Sequence, residues 1–389
     1  MSDNKTSLLH LMTVPISLRF LRGQIAYMKA NGFEVEVLSS PGKLLNEFGN
    51  EEGVRTHAID IYRMISPFKD IATIMRLLKL FREKRYDIVH THTPKAGLVG
   101  MIAASLADSP IKIYHVHGLP FMTQVGLKRK LLLFSEWVSC HLADQVYCVS
   151  PSIKQILIEE KLCQAEKIKV LNHGSINGVD AEGLFNPDSY VEERKTRRHS
   201  MDLPEDALVV GFVGRLVQDK GIYELISAWQ QLKEKYQHLY LLLIGPAEER
   251  DSISTKALET LSQDNRIRMV GFVENLQDMP KFYSIMDMVV LPSYREGFPV
   301  TPLEAAAMQL PVITTQIPGC VDAVVDDKTG QLVEVANVDE LVDAIQHYVT
   351  NPDLRHLHGR NGRLRVLQDF KPQDIWVHQL KEYRHLLTS

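Results

Sequence analysis

The sequence predicts an α/β protein built from two doubly wound, parallel-sheet domains in tandem, with a cleft between them. Three observations support this prediction. The chain has 389 residues, which is more than one hydrophobic core usually organises. Short apolar, β-branched runs alternate with longer stretches of helical periodicity in both halves. This alternation pauses once, in a polar stretch at the middle of the chain.

The first half contains runs with the length and composition of buried strands. In order they are LLHLMTV (8–14), EVEVLSS (34–40), DIVHTHT (87–93), IKIYHVHG (111–118), QVYCVS (145–150) and IKVLNHG (168–174). Between these runs, apolar residues recur three or four positions apart, as at Ile71, Ile74, Leu78 and Phe81. The alternation of strand and amphipathic helix is typical of a parallel sheet with crossover helices.

The polar stretch NPDSYVEERKTRRHSMDLPEDA (186–207) has prolines near both ends and is predicted to link the two domains. A second series of strand-like runs follows it: LVVGFVG (208–214), YLLLIG (240–245), IRMVGFV (267–273), DMVVLPS (287–293), PVITT (311–315) and GQLVEV (330–335). The predicted domains are therefore residues 1–185 and 186–370.

Composition excludes several classes of protein. A net charge of −4 argues against nucleic-acid binding, which usually requires a strongly basic surface. The four cysteines show no metal-ligand or disulfide-framework spacing, which fits a reducing cytoplasm. The N-terminus lacks the basic region and cleavage site of a signal peptide. No apolar run approaches the roughly 18 residues that a membrane span requires, so we expect a protein that is not integral to a membrane.

The run GFVGRLVQDKG (211–221) ends a predicted strand at Gly214 and places Arg215 and Lys220 on the loop before the next helix. Two cations beside a helix N-terminus make an electropositive pocket that suits a diphosphate. The sequence contains neither a Walker loop nor a G-x-G-x-x-G fingerprint. On this stretch alone, two solvated surface cations remain the alternative.

The run SYREGFPVTPLE (293–304) places Glu296 and Glu304 eight positions apart after a buried strand. One interpretation is a helix start, with Thr301 as N-cap and Glu304 reaching back as in a capping box. That interpretation does not account for Glu296. A glutamate in a strand-end loop, followed by a glycine that permits close approach to backbone amides, is also typical of anion and sugar sites.

His117 ends the predicted strand IKIYHVHG and is followed by a glycine. In open α/β sheets, ligands bind beyond the carboxyl ends of the strands, where an imidazole can donate to a hydroxyl or phosphate. A structural histidine with satisfied hydrogen bonds is the alternative.

Longer stretches resemble the retaining glycosyltransferases of family 4, which have the GT-B fold. In the second half these are VGFVGRLVQDKG, MVGFVENLQDMPKFYSIMDMVVLPSYREGFPVTPLEAAAMQLPVITTQIPG and DDKTGQLVEV. In the first half, YDIVHTHTPKAGLVG, HVHG, VYCVS and LNHGSINGVD resemble the same family. The stretches TVPISLRFLRGQ, SSPG and GSINGVD resemble its bacterial capsule and exopolysaccharide subgroup. The resemblance also implies that residues 371–389 form a helix crossing back to the N-terminal domain.

The resemblance implies a role for each candidate residue. Arg215 and Lys220 would bind the donor's diphosphate and neutralise the charge that develops as it leaves. Glu304 would bind the ribose hydroxyls, and Glu296 would face hydroxyls of the transferred sugar. His117 would contact the sugar or a phosphate oxygen near the reacting carbon. Backbone near the ligand would come from the strand end, the base-binding loop and the Gly-Phe-Pro turn, at Gly214, Gly271, Leu276, Gly297, Phe298 and Pro299.

The activity implied is retaining transfer of a hexosyl or N-acetylhexosaminyl group. The donor would be a nucleotide-sugar, expected to be a UDP-sugar. The acceptor would be a glycan or a polyprenyl-diphosphate-linked sugar in bacterial surface polysaccharide synthesis. No cofactor and no metal are expected, because the nucleotide-sugar is a substrate and no strand-end D-x-D is present. Two alternatives stay open, a GT-B sugar-nucleotide epimerase and a non-catalytic sugar-nucleotide-binding protein.

The stretch GLKRKLLLFSEWVSCHLAD (126–144) begins with three basic residues and continues with an apolar stripe comprising Leu132, Leu133, Trp137 and Val138. A basic amphipathic helix of this kind can lie on an anionic bilayer. We expect a cytoplasmic protein with peripheral contact at the inner face of the plasma membrane. An ordinary packed helix with a basic start is the alternative.

Overall fold

The structure is a computed structural model that describes residues 5–247 and 253–389. The chain divides into two compact units. The first comprises the residues up to Asn177 together with Pro372–Ser389, and the second is Gly178–Lys371. The boundary therefore precedes the one predicted after residue 185. Residues 178–185 belong to the second unit, where the amide of Val179 donates to the carbonyl of Phe370 at 3.0 Å.

The first unit is a seven-stranded sheet flanked by helices. Its elements are β1 (Thr6–Leu11), α1 (Gln24–Ala30), β2 (Phe33–Ser39), α2 (Lys43–Glu52), β3 (Arg55–Ala58), α3 (Pro67–Lys84), β4 (Ile88–His92), α4 (Pro94–Leu106), β5 (Ile111–Val116), α5 (Gly126–Leu142), β6 (Gln145–Cys148), α6 (Pro151–Glu159) and β7 (Ile168–Val170). The strand order is β3-β2-β1-β4-β5-β6-β7, all parallel. Because the winding reverses between β1 and β4, the carboxyl ends of these strands form a topological switch point.

The central strands are apolar because helices cover both faces of the sheet. Leu8 and Leu9 are consecutive, fully buried residues of β1. Leu8 packs in the core beneath α1 and α2, whereas Leu9 packs in the core beneath α3 and α4. Successive side chains of a strand point to opposite faces, so a strand covered on both sides becomes a continuous apolar run. This is the pattern that predicts these strands from sequence.

The sequence does not predict β3. Its residues, Arg55–Ala58, pair in parallel with β2 at the edge of the sheet, and none of them is fully buried. An edge strand buries less side-chain surface than a central one, so its composition can remain polar. The apolar run that marks the other strands is therefore absent here.

The second unit has a six-stranded sheet, again all parallel, whose strands in spatial order are β10 (Ile267–Gly271), β9 (Leu239–Ile244), β8 (Leu208–Val213), β11 (Met288–Leu291), β12 (Val312–Thr315) and β13 (Gly330–Val333). Its elements are α7 (Val191–Ser200), β8 (Leu208–Val213), α8 (Ile222–Lys235), β9 (Leu239–Ile244), α9 (Thr255–Gln263), β10 (Ile267–Gly271), α10 (Met279–Tyr283), β11 (Met288–Leu291), α11 (Val300–Ala307), β12 (Val312–Thr315), α12 (Cys320–Ala323), β13 (Gly330–Val333), α13 (Val338–Thr350) and α14 (Pro352–Asp369). Its switch point lies between β8 and β11.

The predicted linker 186–207 is wrong, because its middle forms α7 and packs on the second unit. Arg194 donates to a carboxylate oxygen of Asp287 at 3.0 Å. Arg198 is buried and donates to the carbonyl of Ile285 at 3.2 Å. These guanidinium groups bind carbonyls and a carboxylate in the segment immediately before β11. Because α7 docks through charged side chains, its sequence resembles that of a solvated linker.

The C-terminal helix α15 (Pro372–Thr388) belongs to the first unit. It packs against α1, where the side-chain amide of Gln24 donates to Gln379 at 2.7 Å. Tyr383 is fully buried in the same core and contacts a nitrogen of His90 at 2.6 Å. Buried polar contacts as well as apolar packing therefore hold α15 against the first unit.

Helix α5 exposes Trp137 of the predicted apolar stripe but not its two leucines. Leu132 and Leu133 pack against the core rather than facing solvent. The exposed apolar side chains of this helix are Leu127, Leu131, Phe134 and Trp137. Among the helices formed by the described residues, none is both long and apolar enough to cross a membrane.

Candidate active site

Loops at the carboxyl edge of the second sheet approach one another so closely that two glycines are required. Gly221 follows the β8 loop with a φ of 71°, and a Cβ added to it would lie 1.9 Å from the carbonyl oxygen of Pro292, which follows β11. Gly319 follows β12 with a φ of 83°, and a Cβ added to it would lie 2.4 Å from the carbonyl oxygen of Gly297. Only glycine permits such contacts in the left-handed region. The β8, β11 and β12 loops are thus held together at the switch point.

Lys220 and Glu296 form an ion pair across two of these loops. The ammonium of Lys220 lies 2.5 Å from Oε1 of Glu296, and the hydroxyl of Ser293 donates to the same oxygen at 2.7 Å. The side chains are only 20% and 10% exposed, respectively. Lys220 is therefore not a solvated surface cation, which removes that alternative for this residue.

A neighbouring set of contacts fixes the same two loops, and the sequence does not reveal it. Arg295 donates to the carboxylate of Asp219 at 2.9 Å, and the amide of Tyr294 donates to the carbonyl of Asp219 at 2.9 Å. The Tyr294 hydroxyl donates to Glu224 at 2.5 Å. The only sequence signal for this set is the adjacency of Arg295 to Glu296, because the partners lie about 70 residues apart. The contacts hold the backbone on either side of the ion pair.

Arg215 lies on the loop that leaves β8, five positions before Lys220. The ends of this loop are anchored to the β9 strand end. The amide of Gly214 donates to the carbonyl of Ile244, and that of Leu216 donates to the carbonyl of Pro246, each at 2.9 Å. Arg215 itself is partly exposed. The loop therefore presents a guanidinium from a backbone that is fixed on both sides.

Glu304 does not form the predicted capping box. Helix α11 begins at Val300, and its first turn has no side-chain cap. Thr301 instead donates to the carbonyl of Val213 at 3.3 Å. Oε2 of Glu304 accepts a hydrogen bond from the Tyr283 hydroxyl at 2.7 Å. Burial raises the pKa of Glu304, and this hydrogen bond opposes the increase.

The remaining predicted residues of this unit contribute mainly backbone. Phe298 is buried, and its ring lies 5.5 Å from that of Phe370. Its side chain is thus used in packing, and the turn formed with Gly297 and Pro299 presents main-chain groups. Gly271 has a φ of 77° and open space where a Cβ would lie. Leu276 begins a single helical turn in which the Asn275 side chain accepts a hydrogen bond from the amide of Gln277.

His117 lies in the first unit, just beyond the end of β5, within a cluster of five histidines. The cluster comprises His10 on β1, His90 and His92 on β4, His115 on β5, and His117. His92 contacts His117 through Nδ1 and Nε2 at 3.0 Å, and it contacts His10 through Nε2 and Nδ1 at 2.9 Å. Burial lowers the pKa of His10 and of His117 to about 3. Sequence reasoning found only His117, although HTH and HVH on adjacent strands are a signal for the rest.

Two groups in this cluster are the places where the described residues could hold a metal ion. They are His10 with His90 and His92, and His92 with His115 and His117, each with ligand nitrogens within 4.8 Å of one another. Histidine nitrogen is a common ligand for zinc, copper and nickel. Both groups contain His92, whose two ring nitrogens already contact other histidines.

Two family models match the chain. The model described as "Glycosyl transferase 4-like domain" matches residues 18–174, and the model described as "Glycosyl transferases group 1" matches residues 193–365. The first lies within the first unit, and the second lies within the second unit.

Individual proteins resemble the chain over most of its length. A protein of Staphylococcus aureus, "Capsular polysaccharide biosynthesis glycosyltransferase CapM", is 35% identical over 98% of this chain and 97% of its own. An Escherichia coli protein, "UDP-Gal:alpha-D-GlcNAc-diphosphoundecaprenol alpha-1,3-galactosyltransferase", is 27% identical over 87% of this chain and 88% of its own. The crystal structure of a glycosyltransferase from Rickettsia africae matches with a TM-score of 0.81 at 22% identity, covering 99% of both chains. This likeness shows the predicted GT-B fold.

Proposed function

We propose, on the premise that this chain belongs to the group 1 glycosyltransferases, that it is a retaining enzyme of bacterial surface polysaccharide synthesis. It transfers a hexosyl or N-acetylhexosaminyl group from a UDP-sugar to a polyprenyl-diphosphate-linked or oligosaccharide acceptor. The observation that supports the donor site is the largely buried ion pair of Lys220 and Glu296 at the switch point of the second sheet. The relatives' printed names support the rest, since one names capsular polysaccharide and another names UDP-Gal and diphosphoundecaprenol.

In this proposal Lys220 and Arg215 bind the donor diphosphate. Transfer breaks the bond between the anomeric carbon and the phosphate oxygen, and the electron pair stays on that oxygen. Two fixed cations stabilise the charge that develops there, and each such group is worth about 3 kcal/mol at comparable sites. The acceptor hydroxyl bonds to the anomeric carbon on the face that the phosphate leaves, and its proton passes to the departing phosphate oxygen. The configuration at that carbon is thereby retained.

The two glutamates serve different parts of the donor. Oε2 of Glu304 is occupied by Tyr283, which leaves Oε1 to accept from a ribose hydroxyl. Glu296 is held by Lys220 and Ser293, so its carboxylate is oriented before the sugar arrives. A preorganised acceptor loses little conformational freedom on binding, which favours both affinity and orientation. No cofactor and no metal take part in the proposed reaction.

One face of the first unit docks on an anionic membrane in this proposal. Helix α5 exposes Leu127, Leu131, Phe134 and Trp137, and the side chains of Lys128 and Lys130 beside them are also exposed. Apolar side chains flanked by lysines are typical of helices that lie in the headgroup region of an anionic bilayer. A polyprenyl-linked acceptor would be presented at that surface.

A second exposed apolar segment extends this face. Met64, Ile65, Phe68, Ile71 and Met75 are exposed at the start of α3, and Phe68 is 88% exposed. Exposed basic residues lie among them, at Arg63, Lys69, Arg76 and Lys79. Helices α3 and α5 both pack against α4, so they flank it on one side of the sheet. Apolar patches larger than a few hundred Å² are uncommon on monomeric proteins unless they bind something.

The experiment that tests the function is a transfer assay with purified protein. The protein is incubated with UDP-sugars, with and without a polyprenyl-diphosphate-linked disaccharide or monosaccharide. We expect transfer only with an acceptor, and an α-linked product from an α-linked donor by NMR. Conversion of the donor to another sugar nucleotide without an acceptor would favour the epimerase. Tight UDP binding with no turnover on any acceptor would favour a non-catalytic protein.

A further inference from the structure

Three histidines form a continuous hydrogen-bonded chain in the first unit. Nδ1 of His10 lies 2.9 Å from Nε2 of His92, and Nδ1 of His92 lies 3.0 Å from Nε2 of His117. His10 and His92 are fully buried, whereas His117 is partly exposed beyond the end of β5. The chain therefore leads from the interior of the sheet to a residue that a substrate can reach.

Burial disfavours the charged form of all three rings. Burial lowers the pKa of His10 and His117 to about 3, and it lowers the pKa of His92 well below its ordinary value. A neutral imidazole carries one N–H and one bare nitrogen, so it donates one hydrogen bond and accepts one. Both nitrogens of His92 are used in the chain. The protons must therefore all point the same way along it, either outward to His117 or inward to His10.

The inner end of the chain decides between these directions. Nε2 of His10 is buried and has no hydrogen-bond partner in the described part of the protein. If the protons pointed inward, this atom would be a buried N–H with no acceptor, which is rare in native structures. If the protons point outward, Nε2 of His10 carries no hydrogen. The atom left without a partner is then a hydrogen-bond acceptor. The outward direction is favoured.

We propose that His92 is a positioning residue that fixes the tautomer and the orientation of His117. His92 donates from Nδ1 to Nε2 of His117, so His117 carries its proton on Nδ1 and offers that N–H to a substrate. His117 thereby acts as a hydrogen-bond donor to a hydroxyl or phosphate oxygen and not as a base. This inference rests on the proposed function only for the substrate that receives the hydrogen bond.

The same chain explains why we do not assign a metal to this cluster. Each of the two three-histidine groups includes His92. A metal ion bound there would have to displace one of the two hydrogen bonds that His92 makes. The orientation of His117 depends on one of them.

The first test reads the tautomers directly. The protein is labelled with 15N in its histidine rings, and long-range 1H–15N correlation assigns the protonated nitrogen of each ring without substrate. We expect His117 to be protonated on Nδ1 and His92 on Nδ1. Protonation of His117 on Nε2 would overturn the proposal. Because no turnover is involved, this result stands whether or not the protein proves to be a glycosyltransferase.

Two variants at one position separate positioning from packing. An asparagine amide can replace the Nδ1–H donor of histidine, so His92→Asn should keep His117 protonated on Nδ1 and retain most of kcat. His92→Leu has no donor, so His117 should become a mixture of tautomers and kcat should fall by about tenfold or more, with the donor KM nearly unchanged. Equal loss in both variants, or wild-type kcat in His92→Leu, would count against the proposal.

A matched control makes the same change elsewhere in the cluster. His115 is buried, and its Nδ1 has no partner among the described residues. His115→Leu therefore removes a ring of the same size without removing a member of the chain. We expect the His117 tautomer to be unchanged in this variant. Thermal unfolding of all variants identifies any that fail to fold, and the wild-type tautomer measurement remains decisive in that event.

Discussion

Lys220 Nζ lies 2.5 Å from Glu296 Oε1, and this contact joins the loop after β8 to the loop after β11. The residues are 76 positions apart in the chain. The cation that we propose binds the donor diphosphate is thus already paired with a carboxylate in the protein. The carboxylate fixes the ammonium between two strand ends, so little conformational freedom remains to be lost when a ligand binds.

Removing either cation of the β8 loop should abolish most turnover. We expect Lys220→Ala and Arg215→Ala each to lower kcat by two or more orders of magnitude, because each stabilises charge that develops on the leaving diphosphate. Steady-state kinetics with a UDP-sugar measures this. Lys233→Ala is the matched control, since Lys233 forms an ion pair with Asp264 at 2.9 Å elsewhere in the same unit. Near-normal kcat in both site variants would refute the assignment.

Glu304→Gln should make the protein more stable and bind its donor more weakly. Burial raises the pKa of Glu304 above its ordinary 4.5, so ionisation of this carboxyl costs the folded state stability as the pH rises through and above 4.5. A neutral amide avoids that cost and still accepts from Tyr283. We expect a higher Tm at neutral pH, an advantage that vanishes below pH 4.5, and UDP affinity lowered by about tenfold.

The two readouts for Glu304 come from thermal melts across pH and from calorimetric titration with UDP. A Tm gain that persists unchanged at low pH would show that the carboxyl is not the cause. Unaltered UDP affinity would remove Glu304 from the proposed ribose contact while leaving the stability argument intact.

Glu136 should make the stability of the first unit depend on pH. Its carboxyl is buried on α5 and accepts from the Tyr114 hydroxyl at 2.7 Å, and burial raises its pKa to about 7. In the unfolded chain the carboxyl ionises near 4.5, so between these values only the unfolded state has lost its proton. The stability present below pH 4.5 therefore falls by roughly 3 kcal/mol as the pH rises to 7, and it falls no further above that.

Denaturant unfolding between pH 4 and 8 tests the Glu136 prediction. Glu136→Gln should remove most of the decline, because a glutamine is neutral throughout and can still accept from Tyr114. Glu259→Gln changes an exposed glutamate and is the control. If wild type and Glu136→Gln lose stability in parallel, the decline comes from other groups.

Charge introduced on the exposed stripe of α5 should weaken membrane binding. Vesicles containing phosphatidylglycerol should sediment with the wild type, whereas Leu131→Glu with Phe134→Glu should bind at least about tenfold less. Lys128→Glu with Lys130→Glu should lose affinity mainly at low salt, where charge attraction is least screened. Leu364→Glu, an exposed leucine in the second unit, is the control. Equal sedimentation of all variants would exclude this face as the docking surface.

Much of the fold follows from local patterns. Each strand-like run predicted from the sequence overlaps a strand of the structure, because a strand covered on both faces is apolar throughout. The exceptions have a common cause. The edge strand Arg55–Ala58 and the helix Val191–Ser200 are polar because one is little buried and the other docks through arginines, so neither shows an apolar period.

The sequence suggested residues for a candidate site but not the contacts among them. Lys220 and Glu296 were each expected at a ligand, yet their ion pair was not foreseen. One interpretation of the sequence made Glu304 part of a capping box. The structure excludes that role, because Thr301 donates to a strand carbonyl and Tyr283 donates to Glu304. A partner brought from a distant segment leaves no trace in local spacing.

The sequence by itself determined the alternation of strand and helix, the positions where polar residues follow the strand ends, and hence the sheet edge at which those polar residues lie. Those properties depend on hydrophobic period and on chain order, both of which are local. Tertiary structure decided that Lys220 meets Glu296 and that His92 joins His10 to His117. Such contacts depend on how parallel strands stack side by side, which sets residues far apart in the chain within hydrogen-bonding distance.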